Sequence, residues 1–405
     1  MDHEKGLLTE GSSKKDYHIV LLVMLVFFVI SLITNILNSI IVDVKESFDL
    51  SLTMTGFLPF TFFIAYGVMS IPAGFLSERF ENKALLSFSF LLMTLASLVF
   101  VFVPTHIVFS FTLFVLGSCM AILQVIINPM LRVAGGEEHF AFNSVVAQLV
   151  FGVASFSSPY LYKYLVNDDA NKNLATILRS FVPEHIPWAS LYLVFSVFCF
   201  VLVLIVLLTK YPTYEKEEGE KAGDSISYMT LIKNKYTHLY FLGIFCYVGI
   251  EQGVGNWISQ FLQEYHQIDP QTFGANTVAY FWAMLTIGCI LGLVLLKIFD
   301  SRKVLVGTTG ITIVCLFFAL LGNSSISLFA FPMLGFFISV MWPIIFSLGL
   351  NSIKNHHGSL SGILCTGIAG GAILPFLIGV IGEITSIKTA LFFIMIPLLF
   401  ILSIG

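Results

Sequence analysis

The sequence predicts an all-α polytopic membrane protein: twelve transmembrane helices in two six-helix bundles. Three observations carry this expectation. Hydrophobic residues fill 57% of the 405 positions and charged residues only 11%, where a soluble domain carries about 25% charge. That leaves too little polar surface to coat a water-facing globule. The chain also divides into apolar runs of about 20 residues, the length that crosses a bilayer. Finally, the longest polar inner stretch, residues 211–236 (YPTYEKEEGEKAGDSISYMTLIKNKY), falls after the sixth run and separates six from six.

The runs are expected in this order. Residues 1–16 form a polar tail without the character of a cleavable signal peptide. Span one, 17–43, carries Asn35, Asn38 and Ser39, with Asp43 at its outer end. Span two, 52–77, leads into the charged loop Gly74–Lys83, and span three follows at 83–103. Span four, 106–132, holds Gln124 and Asn128 before Pro129. Span five, 140–165, holds Ser144, Gln148, Gly152 and Ser155. Span six is 188–210, preceded by a long outer loop, 167–186, in which NLATILRSF is long enough for a short interfacial helix. Span seven, 237–263, contains Glu251, Gln252, Asn256, Trp257 and Gln260. Spans eight and nine are 273–298 and 303–321. Span ten, 325–352, has Trp342 before Pro343, then Ser347 and Asn351. Span eleven, 358–382, has Gly362, Thr366 and Gly370, and span twelve is 387–405. The domains expected are therefore a tail (1–16), a first bundle (17–210), a linker (211–236) and a second bundle (237–405).

Charge sets the orientation. With the N-terminus in the cytoplasm, the outer segments hold Lys45, Lys163, Lys172, Arg179 and Lys388. The other fifteen of the 20 lysines and arginines lie inside. That bias places both termini in the cytoplasm. The net charge of −4 speaks against a nucleic-acid partner. All six cysteines fall in apolar runs with no Cys-x-x-Cys spacing, so neither a disulfide framework nor a metal centre is expected.

Glu251 is the one formal charge expected deep in a span. A central charge costs about 2.5–3.5 kcal/mol on insertion scales, so it normally faces a cavity or a partner. It has polar company, because Gln252, Asn256 and Gln260 recur four apart on one helix face. Any one polar stripe reads as helix–helix glue. Stripes on several spans together suggest one aqueous cavity. No Lys, Arg or His lies deep in a span, which leaves an anionic solute without a counter-charge. Amides both donate and accept, as sugar hydroxyls require, and Trp257, Trp282, Trp342 and Tyr280 could stack on a sugar ring.

At these residues a family resemblance becomes visible. FCYVGIEQGVGNW (245–257) resembles the start of the second half in the fucose/glucose/galactose branch of the major facilitator superfamily. SVMWPIIFSLGLNSIKNHHGSLSGILCTGIAGGAILPFLIG (339–379) is similar to spans ten and eleven of that branch. TNILNSIIVD (34–43) and LQVIINPMLRVAG (123–135) are similar to its span-one and span-four segments. The loop GFLSERFENK matches the superfamily signature G-x-x-x-[DE]-R-x-G-x-[RK] at Gly74, Glu78, Arg79 and Lys83, with Glu81 in place of the second glycine. These four are the expected gating residues.

The resemblance implies a cation-coupled importer of a neutral monosaccharide that works by alternating access. Asn128, Gln148 and Glu251 match functional positions of the family. Where proton-coupled fucose members carry an acid, this chain has Ser39 in span one and Gln124 in span four. Sugar contacts are thus expected from Asn35, Asn38, Gln124, Asn128 and Gln148 on one side, and from Gln252, Asn256, Trp257 and Trp342 on the other. Glu251, with Ser39 and Asp43, is expected to couple the ion. Proton, sodium and uncoupled transport all remain open. No cofactor is expected beyond a bound Na⁺ in the sodium option. The chain is expected to work as a monomer in a bacterial inner membrane. The rivals are a drug or lipid exporter on the same scaffold and a sensor that binds sugar without moving it. No His-Glu metal pair, Ser/His/Asp set or phosphate loop supports an enzyme.

Overall fold

A computed structural model describes residues 16–135, 140–167, 173–209, 231–352 and 357–405. The expected tail and most of the expected linker lie outside these residues. Among the described residues every regular element is helical. The first half contains α1 (Tyr17–Ser47), α2 (Leu52–Arg79), α3 (Asn82–Phe102), α4 (His106–Gly135), α5 (Phe140–Val166), the short α6 (Asn173–Arg179) and α7 (Ser190–Leu208). The second half contains α8 (Lys235–His266), α9 (Ala275–Ile298), α10 (Ser301–Leu321), α11 (Ser324–Ile338), α12 (Met341–Asn351), α13 (His357–Thr366), α14 (Gly370–Ile384), α15 (Ile387–Phe392) and α16 (Met395–Ile404).

The helices start where a short polar side chain meets an apolar run. Asp16, Ser51, Asn234, Asp300, Asn323 and Ser386 each accept a hydrogen bond from a backbone N–H in the first turn of α1, α2, α8, α10, α11 and α15. A capped N–H does not have to cross the bilayer unpaired. Ten helical stretches among the described residues are long and apolar enough to cross a membrane. With α5 and α8, also of spanning length, they make the twelve crossings, and the chain is a multi-pass membrane protein. α8 is the longest at 32 residues and carries the polar stripe that lowers its hydropathy.

Spans ten, eleven and twelve are each jointed. The ladder is interrupted at residues 339–340, at a 3₁₀ turn over Gly367–Ala369, and at 393–394. Proline explains the first and third. Pro343 and Pro397 lack an N–H, and their rings crowd the carbonyls of Ser339 and Phe393 four residues earlier. The middle joint lies in the glycine-rich TGIAGGAILP segment.

Two apolar cores form. One is built almost wholly from α1–α7 around Phe90, Phe100, Phe109, Trp188 and Tyr192, and the other from α8–α16 around Trp257, Phe261, Phe281 and Phe331. Within the second, Gly370 lets α14 press against the backbone of α8. A Cβ there would overlap the carbonyl of Phe245 and sit 3.1 Å from its Cα. Backbone cannot move aside as a side chain can. Gly370→Val should therefore destabilise the protein by about 3 kcal/mol or more, seen as a lower melting temperature in detergent.

Candidate functional site

Glu251 lies halfway along α8 and is half-buried. Its Oε1 accepts a hydrogen bond of 2.9 Å from the Tyr247 hydroxyl, one turn back on the same helix. The Tyr247 ring packs 5.9 Å, centroid to centroid, from Trp342 of α12, which stacks on Phe346. Among the described residues no cation pairs with the carboxylate. Tyr247 was not anticipated from sequence, although a hydroxyl four residues before a buried acid is the signal that would have found it.

Along α8, toward its C-terminal end, the polar stripe passes into dry packing. Asn256 donates to the Gln252 carbonyl at 2.8 Å, and its own Oδ1 stays buried. Gln252 wedges between α8, α14 and α2, against the position of Gly371 and near Phe63. Trp257 is 1% exposed and donates from Nε1 to the Pro375 carbonyl at 3.0 Å, which ties α8 to α14. Its ring is packed inside the second core.

The first bundle supplies the opposing face from α1. Asn35 donates to the Ser31 carbonyl at 3.1 Å and to Ser155 Oγ at 2.9 Å, and Ser31 and Ser155 are 2.7 Å apart. This knot fastens α1 to α5. One turn on, Asn38 crosses to the other bundle. A Cβ on Gly255 would sit 3.1 Å from Asn38 Nδ2 and 3.7 Å from the Trp282 ring, so glycine is what lets α1, α8 and α9 meet there. Ser39 is fully buried beside it. Gln124 is half-buried on α4 and Gln148 exposed on α5. The side chains of Asn128 and Glu78 lie outside the described residues.

Exposure therefore falls along one axis. Gln148, Gln124, Glu251 and Trp342 reach open or partly open space, while Asn35, Asn38, Ser39, Gln252 and Asn256 are sealed. Beyond them lies Asp43, 8% exposed. It accepts from the Tyr162 hydroxyl of its own bundle at 2.8 Å and from Gln271 of the other at 3.3 Å. Asp43 is thus part of a bundle-to-bundle contact and is remote in sequence and packing from Glu251.

The gating loop is at the opposite end. Lys83 Nζ donates to the carbonyls of Leu207 (2.7 Å) and Thr209 (3.2 Å), capping the end of α7 within the first bundle. Arg79 is exposed. Among the described residues a Cβ on Gly74 would meet nothing within 4 Å, so no close helix contact is made there.

A family model described as Major Facilitator Superfamily matches residues 23–366, and again 240–404. A glucose/galactose transporter of Brucella abortus biovar 1 (strain 9-941) is 30% identical over 398 residues, covering 95% of this chain and 92% of the relative. An L-fucose-proton symporter of Escherichia coli K12 is 24% identical over 388 residues, covering 90% and 87%. The fold is also similar to the crystal structure of a bacterial homologue of the human lysosomal transporter Spinster in an inward-facing, unoccupied conformation. That likeness has a TM-score of 0.80 and 14% identity, covering 97% of both chains.

Proposed function

The chain belongs to the Major Facilitator Superfamily, and from that premise we propose that it is a secondary active transporter importing a neutral monosaccharide by alternating access, coupled to a cation. The observation that carries the reading is Glu251: one half-buried carboxylate, held by Tyr247, midway along a helix and edged by uncharged amides. A carboxylate without a fixed cation suits a mobile one, whether H⁺ or Na⁺, which neutralises it when the carrier is loaded. The amides and the Tyr247–Trp342–Phe346 aromatic wall suit a ligand with hydroxyl edges and an apolar face. The glucose/galactose transporter that the chain resembles over nearly its full length supports a hexose. The name of the fucose symporter supports a proton as the coupling ion. Here, however, two acids of that branch are replaced by Ser39 and Gln124, so the coupling charge falls to Glu251.

In this reading Gln124, Asn128 and Gln148 meet the sugar from the first bundle and Trp342 from the second, and Asn38, Gln252 and Asn256 join them when the sealed end opens. The bundles then rock about the fixed site. The protein works as a monomer in a bacterial inner membrane with both termini cytoplasmic, and the open side of the axis described above faces the cytoplasm. Uptake into proteoliposomes tests this directly. Glucose, galactose, fucose and a hydrophobic cation are supplied under an imposed Na⁺ gradient or H⁺ gradient, one at a time. Concentrative uptake of one or more sugars under one gradient is the expected result. Uptake of the hydrophobic cation in place of sugar would replace it with the exporter reading.

A further inference from the structure

The sealed end of the molecule contains two sets of residues that pull in opposite directions. The first set crosses between bundles. Gln271 donates to Asp43 at 3.3 Å, and Gln263 donates to Glu46 at 2.8 Å. Lys163 donates to Asn276 Oδ1 at 3.0 Å, and the Thr53 backbone N–H donates to Glu383 at 2.7 Å. Each bond has one charged partner, and each joins a residue of α1–α5 to one of α8–α14 or the turn before α9. They lie together where α1, α5, α8 and α14 end and α2 and α9 begin.

The second set lies one to three turns deeper, on α1, α8 and α9. Asn35 Oδ1, both polar atoms of Asn38, Ser39 Oγ, Gln252 Oε1, Asn256 Oδ1, Ser259 Oγ, Gln260 Oε1 and Trp282 Nε1 are all sealed from solvent with no hydrogen-bond partner among the described residues. The amide orientations of Asn35 and Asn256 are not arbitrary. Their nitrogens face backbone carbonyls, which only accept, so their oxygens must face away. The two helices also share a pattern: aligning Asn35 with Asn256 pairs Ser31 with Gln252, Asn38 with Ser259 and Ser39 with Gln260. α1 and α8 therefore carry matching polar stripes, and Asn38 brings them together across the bundles at Gly255, beside Trp282. Sealing a polar atom without a partner is unfavourable, and the cost is relieved when the bundles part there and the seam meets water or a polyol.

We propose that the four charged hydrogen bonds are a latch that offsets the cost of the dry seam, so that the resting orientation of the carrier is set by the difference between the two. This rests on the alternating-access reading. It assigns Asp43 and Glu46 to holding the closure and not to carrying the ion. A latch bond to a charged group is broken on opening at one stroke, while the seam gains solvation at every unpaired atom. Loss of either set thus tilts the same equilibrium, in opposite directions.

The test needs no sugar, so its outcome is separate from that of the uptake assay. Spin labels are placed at Val103, after α3, and Ser325, at the start of α11. Both are exposed at the sealed end, on opposite bundles. The exposed Cys365 is first replaced (Cys365→Ser). Double electron–electron resonance in nanodiscs then gives the ratio of separated to closed populations. Gln271→Ala should raise that ratio about tenfold, as expected for a bond to a charged group, and Gln263→Ala, which removes a solvent-exposed bond to Glu46, by about two- to fivefold. Ser39→Ala and Asn38→Leu should lower it about fivefold, the return on one or two unpaired atoms. Asn38→Leu is the more drastic change. If it does not fold, Ser39→Ala removes a single hydroxyl and carries the same sign. General loosening would move both sets the same way. Latch variants that leave the distances unchanged, or a seam variant that opens the end, overturn the proposal.

Discussion

Glu251→Gln should abolish ion-driven accumulation of sugar and leave exchange partly intact. Gln has nearly the shape of Glu, and its carbonyl can still accept from Tyr247 across the 2.9 Å contact. What it lacks is a charge that an ion can neutralise. An ion gradient drives a solute only if the ion binds the states of the carrier unequally. With that difference removed, the inside-to-outside ratio of sugar should fall to about 1, while counterflow, which needs only a binding site and a moving carrier, continues. Both are measured in the same proteoliposomes with radiolabelled sugar. A Gln variant that concentrates sugar as well as its parent would make Glu251 a structural residue.

Gly152→Leu should slow transport for a different reason. Gly152 on α5 faces Thr286 on α9, across the two bundles. A Cβ at 152 would overlap the threonine side chain and stand 2.8 Å from its Cβ. Thr286 has little freedom to retreat, because its hydroxyl is bonded to the Trp282 carbonyl at 2.9 Å. A leucine would hold the bundles apart, and overpacking of this kind costs about 1–3 kcal/mol, enough to lower the closed population by about 5- to 150-fold. Each bundle keeps its own core, so the variant should fold and elute as a single species while its uptake rate falls by that factor. A variant that transports normally would mean that the α5–α9 contact is dispensable.

Much of the fold was legible because the bilayer permits so few solutions. Apolar length alone was enough for twelve crossings. The polar stripes were legible as positions only: Asn35, Asn38, Gln252 and Asn256, expected to line an aqueous cavity, lie on sealed faces in this conformation. What sequence did not reveal was the neighbour each face meets. Periodicity says that Asn35 and Asn38 share a side of α1. It cannot say that the first is spent on Ser155 within its own bundle while the second reaches Gly255 of the other. Trp257 likewise reads as an available ring until Pro375, more than a hundred residues on, is seen to hold its nitrogen. The joints in the last three crossings fall beside Pro343 and Pro397 and in the glycine-rich segment of span eleven, breakers that apolar length alone does not weigh.

Those joints make the two halves mechanically unequal. Among the described residues, the crossings of the first half run unbroken, even through Pro59 and Pro72 in α2 and Pro159 in α5. Three crossings of the second half are hinged. A rod bends where its internal ladder is cut, so elastic deformation during a transport cycle should concentrate in the second half. The first half would then behave as a rigid frame against which the other flexes.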